Sequence, residues 1–168
     1  YDLRNVTTYQ EMNADFTLFP SAKLTVNVSD IELFESLEAK VLIKEQGSSD
    51  ILSEVKTNPL DGRVTLDIPL GRKFEVFISA DNFKGYSFPF DLSGLVMYRN
   101  YECDIELVPE KVQVRINVAD LKNNSKVRSR ILIRNKSRDE VIEVSGNEYV
   151  TLRAGDRYEI EATSDQGY

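Results

Sequence analysis

The chain repeats itself, and the repeat is out of phase with its ends. Residues 1–20, YDLRNVTTYQEMNADFTLFP, match residues 90–109, FDLSGLVMYRNYECDIELVP, without a gap, pairing Asp2 with Asp91, Leu3 with Leu92, Tyr9 with Tyr98, Asp15 with Asp104, Leu18 with Leu107 and Pro20 with Pro109. Residues 24–46 pair in the same way with 114–136, and GRVTLDIPLGRKFEVFISADNFKGY pairs with GNEYVTLRAGDRYEIEATSDQGY. A period of about 90 residues is the length of one small domain, so the sequence predicts units strung in series. Residues 1–20 read as the closing strands of a preceding repeat, 21–109 as a complete repeat, and 110–168 as a repeat lacking its closing strands. Neither end is expected to be a natural terminus, so the absence of a leader or membrane span says nothing about location.

Within each repeat the apolar residues recur with period two. Leu24, Val26 and Val28 alternate with Thr25 and Asn27; Ala39, Val41 and Ile43 with Lys40 and Leu42; Phe74, Val76 and Ile78 with Glu75 and Phe77. The same phase returns as Val114, Ile116 and Val118, as Ser129, Ile131 and Ile133, and as Tyr158, Ile160 and Ala162. Such alternation describes strands with one buried and one wet face. Turn chemistry separates them: Asn58, Pro59, Asp61 and Gly62, then Pro69 and Gly71, then Gly85. Val41, Ile43, Val76, Ile78 and Ile105 are the expected core. Residues 31–40 carry a weak helical stripe that their counterpart LKNNSKVRSR lacks, so they read as a loop leading into a strand. The fold class is all-β: tandem small antiparallel β-sandwiches of about seven strands each.

At residues 57–88, TNPLDGRVTLDIPLGRKFEVFISADNFKGYSF, the chain resembles the carboxypeptidase-regulatory-like, or transthyretin-like, β-sandwiches, themselves immunoglobulin-like in outline. The following FDLSGLVMYRNYECDIELVP is similar to the closing segment of such domains in envelope proteins of Bacteroidota, notably OmpA-family and type IX secretion or gliding-associated proteins. The resemblance implies a periplasmic or cell-surface, outer-membrane-associated setting. It also implies positive φ at Gly62 and Gly71, and a turn at Gly85 that lets the Tyr86 ring cap an open end of the core.

Chemistry is sparse. There is no histidine, which a transthyretin-like hydrolase or a zinc carboxypeptidase would need, and the single cysteine, Cys103, falls in the inward phase as a small apolar side chain. Glu102, Asp104 and Glu106 share one outward strand face about 7 Å apart, a solvated face rather than a catalytic pair. No dense Asp/Asn loop of the calcium-binding kind is present, so no catalytic residue, metal ligand or cofactor is assigned. The net charge of −7 argues against nucleic-acid backbone binding.

The charge is unevenly placed, with 19 acidic against 10 basic residues up to position 110 and 9 against 11 beyond it. The excess of base comes from Lys122 to Arg138, where Arg128, Arg130, Arg134 and Lys136 share the outward parity of one strand and form a candidate docking face for an acidic partner: protein, glycan, anionic lipid or a neighbouring repeat. The alternative is a charged strand face that discourages edge pairing. Phe83, Tyr86 and Phe88 are candidate glycan-contact aromatics, with the core as the alternative place for them. Function therefore reads as a non-catalytic spacer, scaffold and docking segment of a bacterial envelope or surface protein, or as a carbohydrate-binding adhesin module. Partners are a protein or the neighbouring repeats, with glycan or peptidoglycan reached through the parent protein. The short stretch from Pro109 to Val114 leaves almost no linker, so successive sandwiches should abut as a semi-rigid rod.

Overall fold

Alternation with period two gives strands along nearly the whole chain. The computed structural model describes residues 20–164 and shows twelve strands and no helix among them. These are β1 (Ser21–Asp30), β2 (Lys40–Glu45), β3 (Ile51–Lys56), β4 (Arg63–Pro69), β5 (Lys73–Ser79), β6 (Tyr86–Asp91), β7 (Asn100–Leu107), β8 (Lys111–Arg115), β9 (Ser129–Asn135), β10 (Glu140–Ser145), β11 (Tyr149–Arg153) and β12 (Tyr158–Ser164). The expected closing strands of a preceding repeat fall in residues 1–19, outside the described residues.

In the first sandwich a sheet in the order β4-β1-β7 packs on a sheet in the order β3-β2-β5-β6. The inward residues meet between them: Leu24 and Val26 from β1, Val41 and Ile43 from β2, and Phe74, Val76 and Ile78 from β5 are all sealed from water. Ile105 is only half-buried, as is Cys103, because β7 is an edge strand with cover on one side. Burial, and next the charge of Asp104, pushes the Cys103 thiol pKa up, away from reactive thiolate. The antiparallel expectation needs one correction. β7 runs parallel to β1, with Leu24 opposite Tyr101 and Val28 opposite Ile105. The reason is topological: β6 lies in the opposite sheet, so the chain crosses over before β7 and reaches the free edge of β1 in the same direction as β1.

Gly62 and Gly71 have φ of 66° and 81°, as the turn chemistry predicts. At Gly62 a Cβ would lie 2.3 Å from the Val28 carbonyl oxygen, so this turn accepts no side chain. Residues 31–39 form a turn and extended loop rather than a helix.

In the second sandwich a sheet in the order β11-β8 packs on a sheet in the order β10-β9-β12. Ile131, Ile133, Val150 and Leu152 form its core. Val114, Ile116 and Val118, the counterparts of the buried Leu24, Val26 and Val28, are half-buried. The cause is lateral: no described strand covers the outer edge of β8 or of β12, the places that β7 and β6 take in the first sandwich.

The first sandwich holds seven strands around one core. Residues 21–109 expressed alone should therefore give β-type circular dichroism and a cooperative melt. In the full chain, Ile43→Ala or Val76→Ala should lower stability by about 1–4 kcal/mol in chemical denaturation, through lost burial and a cavity. Losses below half a kilocalorie at both positions would overturn the inward phase assigned to β2 and β5.

Candidate functional site: the junction between the sandwiches

Only residues 108–110 separate β7 from β8, and their backbone is tied down on both sides. The Lys84 N–H donates to the Val108 carbonyl (2.9 Å), the Glu110 N–H to Asn82 (2.8 Å), and the Ala154 N–H to Glu110 (2.9 Å). The connection is therefore a short bridge running between the loop after β5 and the end of β11.

Across this bridge the two sandwiches share a buried ion pair. Asp30 ends β1, and the turn that follows uses its Oδ1 to accept the N–H groups of Glu32 (2.8 Å) and Leu33 (3.3 Å), which fixes the carboxylate. Its Oδ2 accepts from Nη2 of Arg153, the last residue of β11, 123 positions along the chain. The side chains are 2% and 8% exposed, so the pair is withdrawn from water. Burial pushes the Asp30 pKa up, but the Arg153 bond and charge and the two backbone donors outweigh it and hold it below the usual 3.8. At Arg153 burial likewise favours the neutral form, and Asp30 overrides it.

Around this pair the contacts extend. Arg153 Nη1 donates to Glu32 Oε2 (3.3 Å), and Glu32 Oε1 accepts Lys111 Nζ (2.6 Å), so one carboxylate joins two cations of the second sandwich. The Lys111 bond is the main reason that the Glu32 pKa is lowered. The Arg153 guanidinium lies 5.3 Å from the centre of the Phe83 ring. The Tyr158 hydroxyl brackets the Arg153 backbone, accepting its N–H (3.0 Å) and donating to its carbonyl (3.2 Å). Two residues on, Gly155 has φ of 83°, which favours glycine, and it lies so close to the first sandwich that a Cβ there would stand 2.6 Å from Asn82 Nδ2 and push that side chain aside. A cleft of about 490 Å³ opens beside the pair, with Leu33, Leu37 and Phe83 on one wall and Arg138 and Asp156 on the other. Arg138 and Asp156 are already paired at 2.8 Å.

The structure places the sequence-derived candidates as follows. Arg130 and Arg134 lie on the outward face of β9 and Lys136 in the turn just past its end, and each meets a carboxylate on a neighbouring strand: Glu143 (2.5 Å), Glu161 (3.7 Å) and Glu159 (2.6 Å) respectively. Arg128 precedes β9 and has no ion-pair partner among the described residues. The three aromatics part company. Phe83 belongs to the junction, Phe88 packs against the first core, and Tyr86 opens β6 half exposed, 6.2 Å from Phe88. The core end is covered by Phe83 and Phe88 rather than by Tyr86: Tyr86 shares the inward parity of Phe88 and Phe90 and stands opposite Ile78, but as the first residue of edge strand β6 it lies at the rim and stays half exposed. Glu102 and Asp104 stand at the surface and are held by Asn27 Nδ2 (3.0 and 2.8 Å), with Arg63 3.7 Å from Glu102. Among the described residues no three His, Cys, Asp or Glu side chains are grouped to hold a metal.

No protein-family model and no curated protein matches the chain. Solved structures do. The Bacillus anthracis TIE protein superposes with a TM-score of 0.62 at 15% identity, over 86% of this chain and 29% of that one. The shaft pilin SpaA of Lactobacillus rhamnosus GG, as its D295N mutant, gives 0.41 at 9% identity, over 86% and 87%. A DUF3823 family protein from Bacteroides uniformis gives 0.35 at 11% identity, over 87% and 90%. The likeness to the TIE protein shows a shared β-sandwich fold, and this chain spans less than a third of that protein.

Removing one partner of a buried ion pair leaves the other charge unpaired. Asp30→Ala or Arg153→Ala should therefore cost about 3 kcal/mol in chemical denaturation, whereas Arg134→Ala on the exposed ladder should cost nothing measurable. The pH dependence follows from the lowered Asp30 pKa. Its contribution is fully present above the ordinary carboxylate value and is lost as pH falls through the lower folded value. The stability gap between wild type and Asp30→Asn should thus be constant near neutrality and close as pH drops below about 4. A gap that shows no narrowing as pH falls below about 4 would show that the pair is not its source.

Proposed function

We propose that this chain is a non-catalytic, load-transmitting segment of a surface-exposed protein, in which β-sandwich repeats at 21–109 and 110–168 serve as spacer, scaffold and docking surface. The single observation that carries this reading is the junction. Two sandwiches on a freely jointed string need no buried charge between them, whereas Arg153 and Asp30 bear the cost of leaving water in order to meet. Such a pair holds one sandwich at a set angle to the next, as a spacer requires and an independent binding module does not. The absence of histidine from the sequence and the lateral pairing of the exposed charges agree with it.

The partner that the geometry favours is another sandwich of the same kind, met end to end. The basic strand is a weaker docking face, since Glu143, Glu161 and Glu159 already answer three of its four cations, leaving Arg128 to meet an acidic partner. An envelope setting in Bacteroidota, with a link to type IX secretion or gliding, is the finer form of the proposal and rests on the sequence resemblance. The adhesin alternative keeps Tyr86 and Phe88 as its contact, because Phe83 is engaged beneath Arg153.

Small-angle scattering tests the spacer reading. The wild-type chain should fit a single extended arrangement of the two sandwiches, and the double variant Asp30→Ala/Glu32→Ala should need a distribution of angles. Equal flexibility in both would sink it, and glycan-array binding abolished by Tyr86→Ala would favour the adhesin reading instead.

A further inference from the structure

The turn that presents Asp30 to the second sandwich is built again 90 residues later. Asp30 Oδ1 accepts the N–H of Glu32 at 2.8 Å, and Asp120 Oδ1 accepts that of Lys122 at 2.7 Å. The N–H groups of Phe34 and Asn124 return to the carbonyls of Asp30 and Asp120, both at 2.8 Å, and those of Asp30 and Asp120 reach Glu35 and Ser125, both at 2.9 Å. Phe34 and Asn124 share the left-handed conformation, φ 58° and 55°. The second oxygen of Asp120 is therefore offered as that of Asp30 is. At Asp30 it is taken by Arg153; at Asp120 it has no partner among the described residues. The next residue reports the same difference in cover: Ile31 is 40% exposed, and its counterpart Leu121 is fully exposed at 101%.

We propose that Asp120 and Leu121 form the docking face for a further β-sandwich of this repeat type, which lays an arginine from the end of its own β11-like strand onto Asp120. This rests on the spacer reading. The identity of the occupant follows from charge and register. At the first junction Glu32 answers Lys111; Lys122 stands in the place of Glu32, so the occupant brings an acidic residue where Lys111 would be. The first sandwich of another copy does not qualify. Ser21 pairs with Pro69 as Lys111 pairs with Arg153, so its end offers a serine and a proline where the lysine and arginine are required. The span from Gly155 to Gly167 is also two residues shorter than that from Gly71 to Gly85, and its sequence before Gly167 carries no aromatic residue to match Phe83 before Gly85. This second contact is accordingly more polar than the first.

The test extends the 168-residue chain by residues 87–168 of its own sequence, which supplies closing strands to the second sandwich and presents Arg153 and Lys111 again. Asp120→Asn keeps the turn's acceptor and removes the charge. It should leave the Tm of the 168-residue chain unchanged and lower that of the extended chain by about 2–4 °C, the shift that about 1 kcal/mol produces in a protein of this size. Lys122→Glu, which restores the acid of the first junction, should raise the Tm of the extended chain. An Asp120→Asn effect that is absent from both chains, or equal in both, overturns the docking face. If Asp30→Asn is also silent in the 168-residue chain, the spacer reading falls with it; if Asp30→Asn is destabilising there, the spacer reading stands and only the second docking face is lost.

Discussion

The geometry of this segment depends on one buried ion pair. Moving a carboxylate and a guanidinium out of water costs several kilocalories per ion, and their attraction repays it only when each charge is held in place and its remaining valences are met. Here both conditions hold. The turn after β1 clamps one oxygen of Asp30 with two backbone donors, the Tyr158 hydroxyl brackets the backbone of Arg153, and Glu32 and Phe83 receive the rest of the guanidinium. An apolar patch would have joined the two sandwiches at many angles. A directional pair set between a tight turn and a strand end admits few.

That choice determines how the rest of the surface is used. Along the strands, exposed charges are answered sideways, Lys136 by Glu159, Arg130 by Glu143 and Lys40 by Glu54, so the broad faces are ladders of alternating sign. Exposed pairs of this kind contribute little to stability, but they keep the broad faces from presenting one sign of charge or a continuous apolar area. What remains specific is at the ends. The turn after β1, the loop after β5 and the end of β11 converge where the chain passes from one sandwich to the next, and their side chains differ between the two copies: Glu32 against Lys122, Pro69 against Arg153. The repeats share a fold in their strands and carry their individuality at their ends.

The strand pattern was legible because alternation of apolar residues is a local property: Leu24, Val26, Ile43 and Val76 face inward wherever their strands are placed, and Asn58 to Gly62 turn the chain whatever lies beyond. The internal match at about 90 residues set the length of the unit for the same reason. The junction was less visible. Arg153 is one basic residue among many, and the strand that ends in it carries proline at that place in the other copy, so no repeated motif marks it. A signal was there in the pair of facts that an aspartate recurs at 30 and 120 while its answering arginine does not, but it acquires meaning only when residues 123 apart are known to touch.

The sequence by itself thus determined the strands, their inward faces, the turns and the serial organisation, all of which follow from residue type and spacing over ten residues or fewer, or from the comparison of one copy with another. Only the tertiary structure decided that β7 runs parallel to β1, that the cations of β9 are answered by glutamates on the flanking strands, and that Phe83 lies under Arg153 where the two sandwiches meet. Each of these depends on which elements become neighbours in space. Neighbourhood between distant segments is set by sheet order, which no local pattern of side chains encodes, even though the short connection between β7 and β8 could be read as a missing linker.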